Sequence, residues 1–371
     1  MNHFFIQPEK VVITNEKEIE NRIVSDEPTP AWLRIVKKDK DTGADVKLEG
    51  AKYKIWDVAN EKWVSLMESP SGNYIEEFET NEEGYFYTPQ ELQPGEYVVY
   101  ETKPPKGYYL DGNLRVPENE EDLGNSDVSG YKVVINKVAT GVAEDEIYPE
   151  GGIATGSLVI EVPMENTPLM GQLEIYKTGE MLSEAITAVE NVKDGNEIIF
   201  SEEKATPVYK LQGLKGVKYE IYAAEDIKSP DGRITYVTEG TLVDTVITEE
   251  DGYATTKELY LGEYEIREVE VPKGYTINSN IPNVTLTNEN PYNRVEVTKE
   301  EYTNDRQKLG LTFEKVFEDI EYTYGEDIEQ KALFGIFTKE PIYNYKGNEI
   351  IKRNMLMDLV WVDENGDVTS E

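Results

Sequence analysis

The chain has 371 residues, with 74 acidic and 37 basic side chains and a net charge of −37. A chain this acidic lacks the basic face that phosphate backbones require, so nucleic acid is excluded as an expected partner. It has no cysteine and one histidine, His3. This composition excludes disulfides, cysteine nucleophiles, Cys/His zinc sites and Ser-His-Asp triads. No apolar run reaches the roughly eighteen residues of a spanning helix, so we expect no membrane contact within this segment.

The first predicted element is a strand that ends in a lysine. It recurs as LRIVK (33–37), LEIYK (173–177) and LTFEK (311–315). Successive strand residues face opposite sides, so Lys37, Lys177 and Lys315 each point where the preceding apolar side chains point. The three lysines are separated by 140 and then 138 positions. So long a period identifies the building unit as a domain of about 140 residues.

Three further elements follow in the same order along each unit. The second strand appears as GAKYKIW (50–56), GVKYEIY (216–222) and ALFGIFT (332–338). A turn that contains glycine leads into a strand in TNEEGYFY (80–87), TEEDGYAT (248–255) and VDENGDVT (362–369), which is typical of hairpins. A late strand carries Glu101 or Glu268, four residues before the Pro-Lys-Gly-Tyr sequence. AAEDI (223–227) is the candidate for a short helix.

Each unit closes on a residue that lies eleven positions before the next lysine, namely Asp26, Asn166 or Asn304. The spacing predicts complete domains at 31–168 and 169–306. Residues 1–30 are interpreted as the last strands of a preceding domain and 307–371 as the start of a further one. We therefore expect an excerpt of a longer array, in which the partners are neighbouring domains of the same chain.

Many short strands with turn signals and little helical periodicity predict β-sandwiches. Each complete unit then offers a lysine, a glutamate and an asparagine: Lys37, Glu101 and Asn166, then Lys177, Glu268 and Asn304. Burial favours the neutral amine and the protonated carboxyl. A neutral amine is a nucleophile, and a carboxyl group can shuttle protons. An amine held against a carboxamide could therefore displace ammonia and form an isopeptide bond.

These motifs resemble the Cna B-type, SpaA-like domains of Gram-positive surface adhesins and pilins. The resemblance is carried by KKDKDTG (37–43), GAKY (50–53), ETKPPKGY (101–108) and EVEVPKGY (268–275). It extends over nearly the whole chain and implies an all-β fold of tandem transthyretin-like Greek-key sandwiches, with partial domains at both ends. The lysine motif of the family is K-x-D-x-x-T-G, which KKDKDTG matches. KTGEM (177–181) lacks its aspartate, and KVFED (315–319) lacks its Thr-Gly.

The resemblance also implies self-catalysed cross-links. Lys37 would join Asn166 with Glu101 as the catalytic group, and Lys177 would join Asn304 with Glu268 as the catalytic group. Two sets are incomplete. Lys315 would need a partner beyond Glu371, and Asp26 would serve a lysine upstream of Met1 with loss of water.

The predicted function is that of a structural stalk or pilin-like segment, outside the cell on the wall of a Gram-positive bacterium. No cofactor, no metal and no enzymatic activity beyond cross-linking are expected. The alternative is an adhesin region in which an insertion, 111–160 or 178–212, contacts a host or matrix ligand. An exposed aromatic patch on either insertion would favour that alternative.

These residues also have three simpler interpretations. A lysine that faces a glutamate is usually an ion pair at the rim of a sheet. DKDTGAD (39–45) resembles the start of a calcium loop, but Gly50 stands where the closing glutamate is required. A glycosidase needs two carboxylates across a cleft, and chance pairs are common among 74 acidic residues.

Overall fold

The computed structural model describes residues 29–136, 158–194, 196–311, 332–362 and 368–369. Nearly all of the regular structure in these ranges is β-strand. The segment 1–30 lies outside the described residues except for its last two positions. Asp26 and Lys315 lie outside them as well, so neither incomplete cross-link set is tested.

The first sandwich is built from two sheets around one apolar core. Its strands are β1 (Ala31–Asp39), β2 (Lys52–Asp57), β3 (Lys62–Trp63), β4 (Leu66–Met67), β5 (Tyr74–Ile75), β6 (Phe78–Glu79), β7 (Tyr85–Tyr87), β8 (Gly95–Lys103), β9 (Tyr131–Ile135) and β10 (Leu158–Asn166). One sheet has the order β10-β1-β7 and the other has the order β3-β2-β8-β9, with β6 beside β2. Leu33, Ile35, Tyr53, Ile55 and Val99 lie fully buried between them.

The second sandwich repeats this plan. Its strands are β11 (Met170–Asp194), β12 (Glu197–Gly213), β13 (Lys218–Ala223), β14 (Ile227–Lys228), β15 (Thr235–Val237), β16 (Leu242–Ile247), β17 (Tyr253–Thr255), β18 (Leu259–Tyr260), β19 (Gly262–Glu270), β20 (Val284–Leu286) and β21 (Val295–Asn304). In one sheet β11 pairs with β17, β18 and β21, and the other has the order β16-β13-β19-β20. A separate core forms around Leu173, Ile175, Tyr219, Ile221 and Ile266.

In both sandwiches the first strand runs parallel to the last strand. β1 pairs with β10 so that Asp39 lies opposite Asn166. β11 pairs with β21 so that Gly179 lies opposite Asn304. The asparagine is thus placed opposite the residue two positions after the lysine in each unit. Because side chains two apart share one face of a strand, the lysine and the asparagine face the same core.

The predicted glycine turns hold the backbone of each lysine. Gly84 and Gly252 have φ values of 79° and 86°, in the left-handed region that glycine adopts without strain. Their carbonyl oxygens accept the backbone N–H of Lys37 at 2.9 Å and of Lys177 at 2.8 Å. A Cβ at Gly84 would lie 1.7 Å from the carbonyl oxygen of Val46, so the close approach also requires glycine.

The second insertion is a long two-stranded ribbon. β11 continues past the lysine and pairs antiparallel with β12 from Thr178 to Asp194, with register shifts between Leu182 and Glu184 and between Val192 and Lys193. The remaining described strands are β22 (Ala332–Phe337), β23 (Ile342–Tyr343), β24 (Glu349–Ile351), β25 (Leu356–Val362) and β26 (Val368–Thr369). This part of the chain contacts the ribbon, since the side-chain amide of Asn344, just after β23, donates to the Ser183 carbonyl at 3.1 Å.

The expected helix at 223–227 is wrong. Ala223 ends β13, Ile227 begins β14, and the N–H of Ala224 donates to the carbonyl of Glu263 at 2.9 Å. The backbone donor is therefore satisfied by the neighbouring strand instead of by a helical turn. The helical element within the described ranges is a 3-10 turn at Glu120–Asp122, and none of those ranges contains a helix long and apolar enough to span a membrane.

Candidate functional site

The first site gathers three side chains that are far apart in sequence. Lys37 Nζ lies 2.7 Å from Glu101 Oε1, and neither side chain is exposed. Asn166 Nδ2 donates to the other carboxylate oxygen, Oε2, at 2.7 Å and to the carbonyl of Tyr109 at 2.7 Å. The hydroxyl of Tyr53 donates to Glu101 Oε1 at 3.1 Å. The carboxylate therefore lies between the amine and the carboxamide.

The second site has the same arrangement on the second sandwich. Lys177 Nζ lies 2.9 Å from Glu268 Oε2 with both side chains buried, although the ammonium makes no well-directed hydrogen bond to any described residue. Asn304 Nδ2 donates to Glu268 Oε1 at 2.6 Å. Tyr219 donates to Oε2 at 3.1 Å, and the backbone N–H of Asn278 donates to Oε1 at 3.1 Å.

Burial changes the protonation chemistry of both lysines. Desolvation lowers the pKa of Lys37, and the charge and hydrogen bond of Glu101 offset only part of this shift. The pKa of Lys177 is lowered for the same reason and is likewise partly restored by Glu268. With a lowered pKa, each lysine has a larger fraction of neutral, nucleophilic amine at neutral pH than an exposed lysine has. The sites are therefore not the rim ion pairs of the simplest interpretation.

The carboxamide oxygen of each asparagine is buried without a hydrogen-bond donor among the described residues. Asn166 Oδ1 and Asn304 Oδ1 are buried, and no described residue donates a hydrogen bond to either of them. A buried oxygen without a donor costs on the order of 1–3 kcal/mol. It is also the atom on which negative charge would develop if an amine attacked the amide, and no described residue donates to it there. What suits amide exchange is the glutamate, which contacts both the amine and the carboxamide nitrogen and could carry a proton from one to the other.

The sequence reasoning missed the two tyrosines. Tyr53 and Tyr219 are fully buried and occupy equivalent positions on β2 and β13. Their signal was present in the sequence, because GAKY (50–53) and GVKY (216–219) both end in tyrosine three residues after glycine. Alternation along the strand also places each tyrosine on the core face.

The structure explains why the lysine motif differs between the units. In the first unit, Asp39 Oδ1 accepts the backbone N–H groups of Asp41 and Thr42, each at 3.0 Å, and closes a turn. In the second, Gly179 occupies this position and the strand continues into the ribbon. A Cβ at Gly179 would lie 2.7 Å from the ring of Tyr275, which fills the space.

Asp39 also connects the two sandwiches. Its second oxygen, Oδ2, accepts the hydroxyl of Tyr108 at 3.0 Å and the hydroxyl of Tyr236 from the second unit. The ring of Tyr236 stacks on that of Tyr260 at a centroid distance of 4.1 Å. Tyr260 in turn donates to Asp41 at 3.0 Å. The lysine motif of the first unit therefore also forms part of the junction.

The described parts of the two insertions carry no patch of exposed aromatic side chains. Within 111–136, Tyr131 is the one exposed aromatic residue. Along the ribbon, the exposed large apolar residues are aliphatic: Ile186, Val189, Ile198, Ile199 and Leu211. The described residues of the insertions therefore lack the exposed aromatic patch that would favour the adhesin alternative.

Comparison with known proteins identifies the domain type. The profile of the SpaA family, a prealbumin-like fold domain, matches residues 31–127 and 208–301, which together are just over half of the chain. The chain belongs to the SpaA family. The prediction of tandem transthyretin-like sandwiches is thereby confirmed. The second match begins within the ribbon, so most of the second insertion of this SpaA-family chain falls outside it.

Individual similar proteins differ in how much of this chain they match and in how much of their own length is matched. An 86-residue stretch, 22% of this SpaA-family chain, is 34% identical to the trypsin-resistant surface T6 protein of Streptococcus pyogenes serotype M6 and covers 16% of that protein. The Bacillus anthracis TIE protein is 16% identical over 92% of this chain and 47% of its own, with a TM-score of 0.40. The minor pilin GBS52 of Streptococcus agalactiae is 16% identical over 76% and 98%, with a TM-score of 0.24. The chain thus spans less than half of the T6 and TIE proteins.

Proposed function

We propose that this chain is a stalk segment of a Gram-positive cell-surface protein, and that each described sandwich forms one Lys–Asn isopeptide bond within itself. The observation that carries the proposal is the repeated site, in which one buried carboxylate contacts both a buried lysine and a buried asparagine. Similarity to the T6 surface protein supports the location outside the cell. The chemistry acts on the chain itself and needs no external substrate or cofactor.

The lysine, glutamate and asparagine can together supply every proton transfer and bond change that the proposed reaction needs. The glutamate carboxylate takes a proton from the lysine ammonium, and the neutral amine attacks Cγ of the asparagine. The Nζ–Cγ bond forms, the Cγ–Nδ2 bond breaks, and the nitrogen leaves as ammonia after the glutamate has passed it a proton. The carboxylate, free again after this transfer, takes a second proton from Nζ, so the linkage becomes a neutral amide and the glutamate ends protonated.

The topology gives the bond a mechanical role. Lys37 and Asn166 lie 129 positions apart in sequence, on parallel neighbouring strands. A force that enters at the start of β1 and leaves at the end of β10 would pass directly through a Lys37–Asn166 bond. The intervening loop would then carry no load. A stalk built from such units resists extension even when its sheet hydrogen bonds break.

Intact mass tests the proposal. The purified chain should weigh two ammonias less than its sequence, whereas a full sequence mass would rule the bonds out. Glu101→Ala should retain one ammonia by blocking the bond in the first unit alone, and Glu268→Ala should do the same in the second. Peptide mapping assigns each retained ammonia to its unit. Loss of ammonia at the normal rate in both variants would show that the glutamates only pack.

A further inference from the structure

The two sites share a hydrogen bond that the proposed reaction does not itself require. Tyr53 donates to Glu101 Oε1, the same oxygen that contacts Lys37. Tyr219 donates to Glu268 Oε2, which is again the oxygen that contacts the lysine. Both distances are 3.1 Å. In each site the asparagine carboxamide occupies the other oxygen, so the same pattern occurs in two sandwiches with separate cores.

Each tyrosine is held in place by the core. Tyr53 is fully buried, and its ring lies 5.7 Å from that of Phe86. Tyr219 is also fully buried and lies 6.4 Å from the ring of Tyr302. Burial and the neighbouring glutamate raise the pKa of both hydroxyls, so each remains a neutral hydrogen-bond donor.

We propose that Tyr53 and Tyr219 are positioning residues for isopeptide formation, which fix the rotation of the glutamate carboxyl so that one oxygen serves the lysine and the other serves the carboxamide. This inference rests on the proposed function. Because a carboxyl group has two equivalent oxygens, Glu101 could otherwise turn toward the lysine or toward the carboxamide alone. Apart from the reacting groups, Glu268 would be restrained among the described residues only by the backbone N–H of Asn278 on Oε1. The tyrosine donates to one oxygen from a fixed direction and leaves the other for the carboxamide.

The tyrosine transfers no proton in this scheme. The proton moves from Nζ to the carboxyl and then to the leaving nitrogen, while the hydroxyl keeps the carboxyl between these two atoms. Two effects of the hydroxyl oppose each other. It positions the acid, but it also stabilises the carboxylate and so resists the first proton transfer. The inference is that positioning dominates, because misplacement of a reacting group by about 1 Å can slow a reaction on the order of 100-fold.

The chain offers matched control residues. Tyr97 and Tyr264 belong to the same two cores, but their hydroxyls donate to the carbonyls of Gln93 and Tyr260, at 2.9 and 2.6 Å. Phenylalanine at these positions removes one partly buried hydroxyl without touching a glutamate. A loss of stability alone should therefore appear in the control variants as well as in Tyr53→Phe and Tyr219→Phe.

The experiment follows bond formation in the full chain after pulsed cell-free synthesis. Samples are quenched in acid denaturant, and peptide mapping measures the cross-linked fraction of each unit against time and pH. Tyr53→Phe should slow the first unit by about 10- to 100-fold and change its pH–rate profile, with the second unit unaltered. Tyr219→Phe should do the reverse, and Tyr97→Phe and Tyr264→Phe should leave both rates unchanged.

The outcomes separate this inference from the proposed function. If the wild type never loses ammonia, the proposed function fails and the role of the tyrosines fails with it. If the wild type cross-links and Tyr53→Phe and Tyr219→Phe match its rates and pH profiles, the positioning role alone is overturned. Faster bond formation in these two variants would also overturn it, because the hydroxyl would then act mainly by holding the carboxylate ionised.

Discussion

The two sandwiches build the same site in different surroundings. In the first, β1 ends at Asp39 in a closed turn, whereas in the second, β11 is 25 residues long in total and its part after the lysine forms one side of the ribbon. The lysine is nevertheless held identically, by the carbonyl of Gly84 or Gly252 on one side and the backbone N–H of Val46 or Leu214 on the other. The site thus depends on strand pairing and turn carbonyls, and the residues after the lysine are free to change.

What changes between the units is their relation to neighbouring parts of the chain. Asp39 in the first unit receives Tyr236 from the second and so takes part in the junction. Gly179 in the second unit leaves room for Tyr275, and the extended ribbon contacts the segment 332–362 instead. In the first unit the lysine motif therefore contributes both the proposed cross-linking lysine and a contact between the sandwiches, and only the lysine site is common to both units.

The largest effect should come from removing one cross-link. Lys37→Ala should make the first unit protease-sensitive and extensible under force, since closure of a loop this long contributes on the order of 4–5 kcal/mol in the chain-entropy model. Leaving Glu101 buried without its partner adds to the loss. We expect its melting temperature to fall by about 10 °C or more, with the second unit little changed.

Single-molecule pulling provides the decisive measurement for Lys37→Ala. The wild-type first unit should not release the chain between Lys37 and Asn166, whereas the variant should. Lys177→Ala serves as the reciprocal variant and should make only the second unit extensible. Release of the full loop from the wild-type first unit would contradict the mechanical role.

A smaller effect should follow from moving the aspartate of the first unit into the second. Gly179→Asp places a Cβ 2.7 Å from a ring carbon of Tyr275 and 3.1 Å from a methyl of Leu214. Overpacking of this kind costs about 1–3 kcal/mol. Urea unfolding should show a lower midpoint for the second unit. Gly112→Asp is the control, because no described atom lies within 4 Å of the position of its Cβ. An unchanged midpoint for Gly179→Asp would mean that Tyr275 moves aside easily.

The residues of the site could be predicted because they recur with a fixed period. Alternation placed Lys37 and Lys177 on the core face, and both are fully buried. The tyrosines were missed because a core tyrosine has a sufficient explanation in packing, and only coordinates show where its hydroxyl points. The ribbon was missed because its strands carry mostly exposed side chains, so 178–212 lacks the alternation that marks a half-buried strand.

A pH dependence should appear only when a cross-link is absent. In Asn166→Ala, Lys37 remains a titratable amine with a pKa lowered by burial, whereas the unfolded chain titrates near 10.5. The unfolded state then binds more protons between the lowered pKa and 10.5, so stability should rise with pH in that window. On the proposed function, the wild type would have an amide there and would lack this contribution. The effect is isolated by subtracting the unfolding free energy of the wild type in urea from that of Asn166→Ala at each pH from neutral to pH 10. This variant-minus-wild-type difference should rise with pH, and a fall would contradict the assigned direction.

The smallest effect should be confined to the junction between the sandwiches. Tyr236→Phe removes the hydroxyl that donates to Asp39 but keeps the ring that stacks on Tyr260. The lost hydrogen bond to a carboxylate is worth about 1.5–3 kcal/mol when its acceptor is buried, and less here because Tyr108 still donates to the same oxygen. We expect a broader distribution of distances between spin labels on the two sandwiches, with the intact mass unchanged. Tyr74→Phe, at a tyrosine that is 71% exposed, is the control. If the distribution keeps its width, the remaining contacts of the junction, among them the hydrogen bond from the Lys47 amide to Asp231, suffice to hold the two units together.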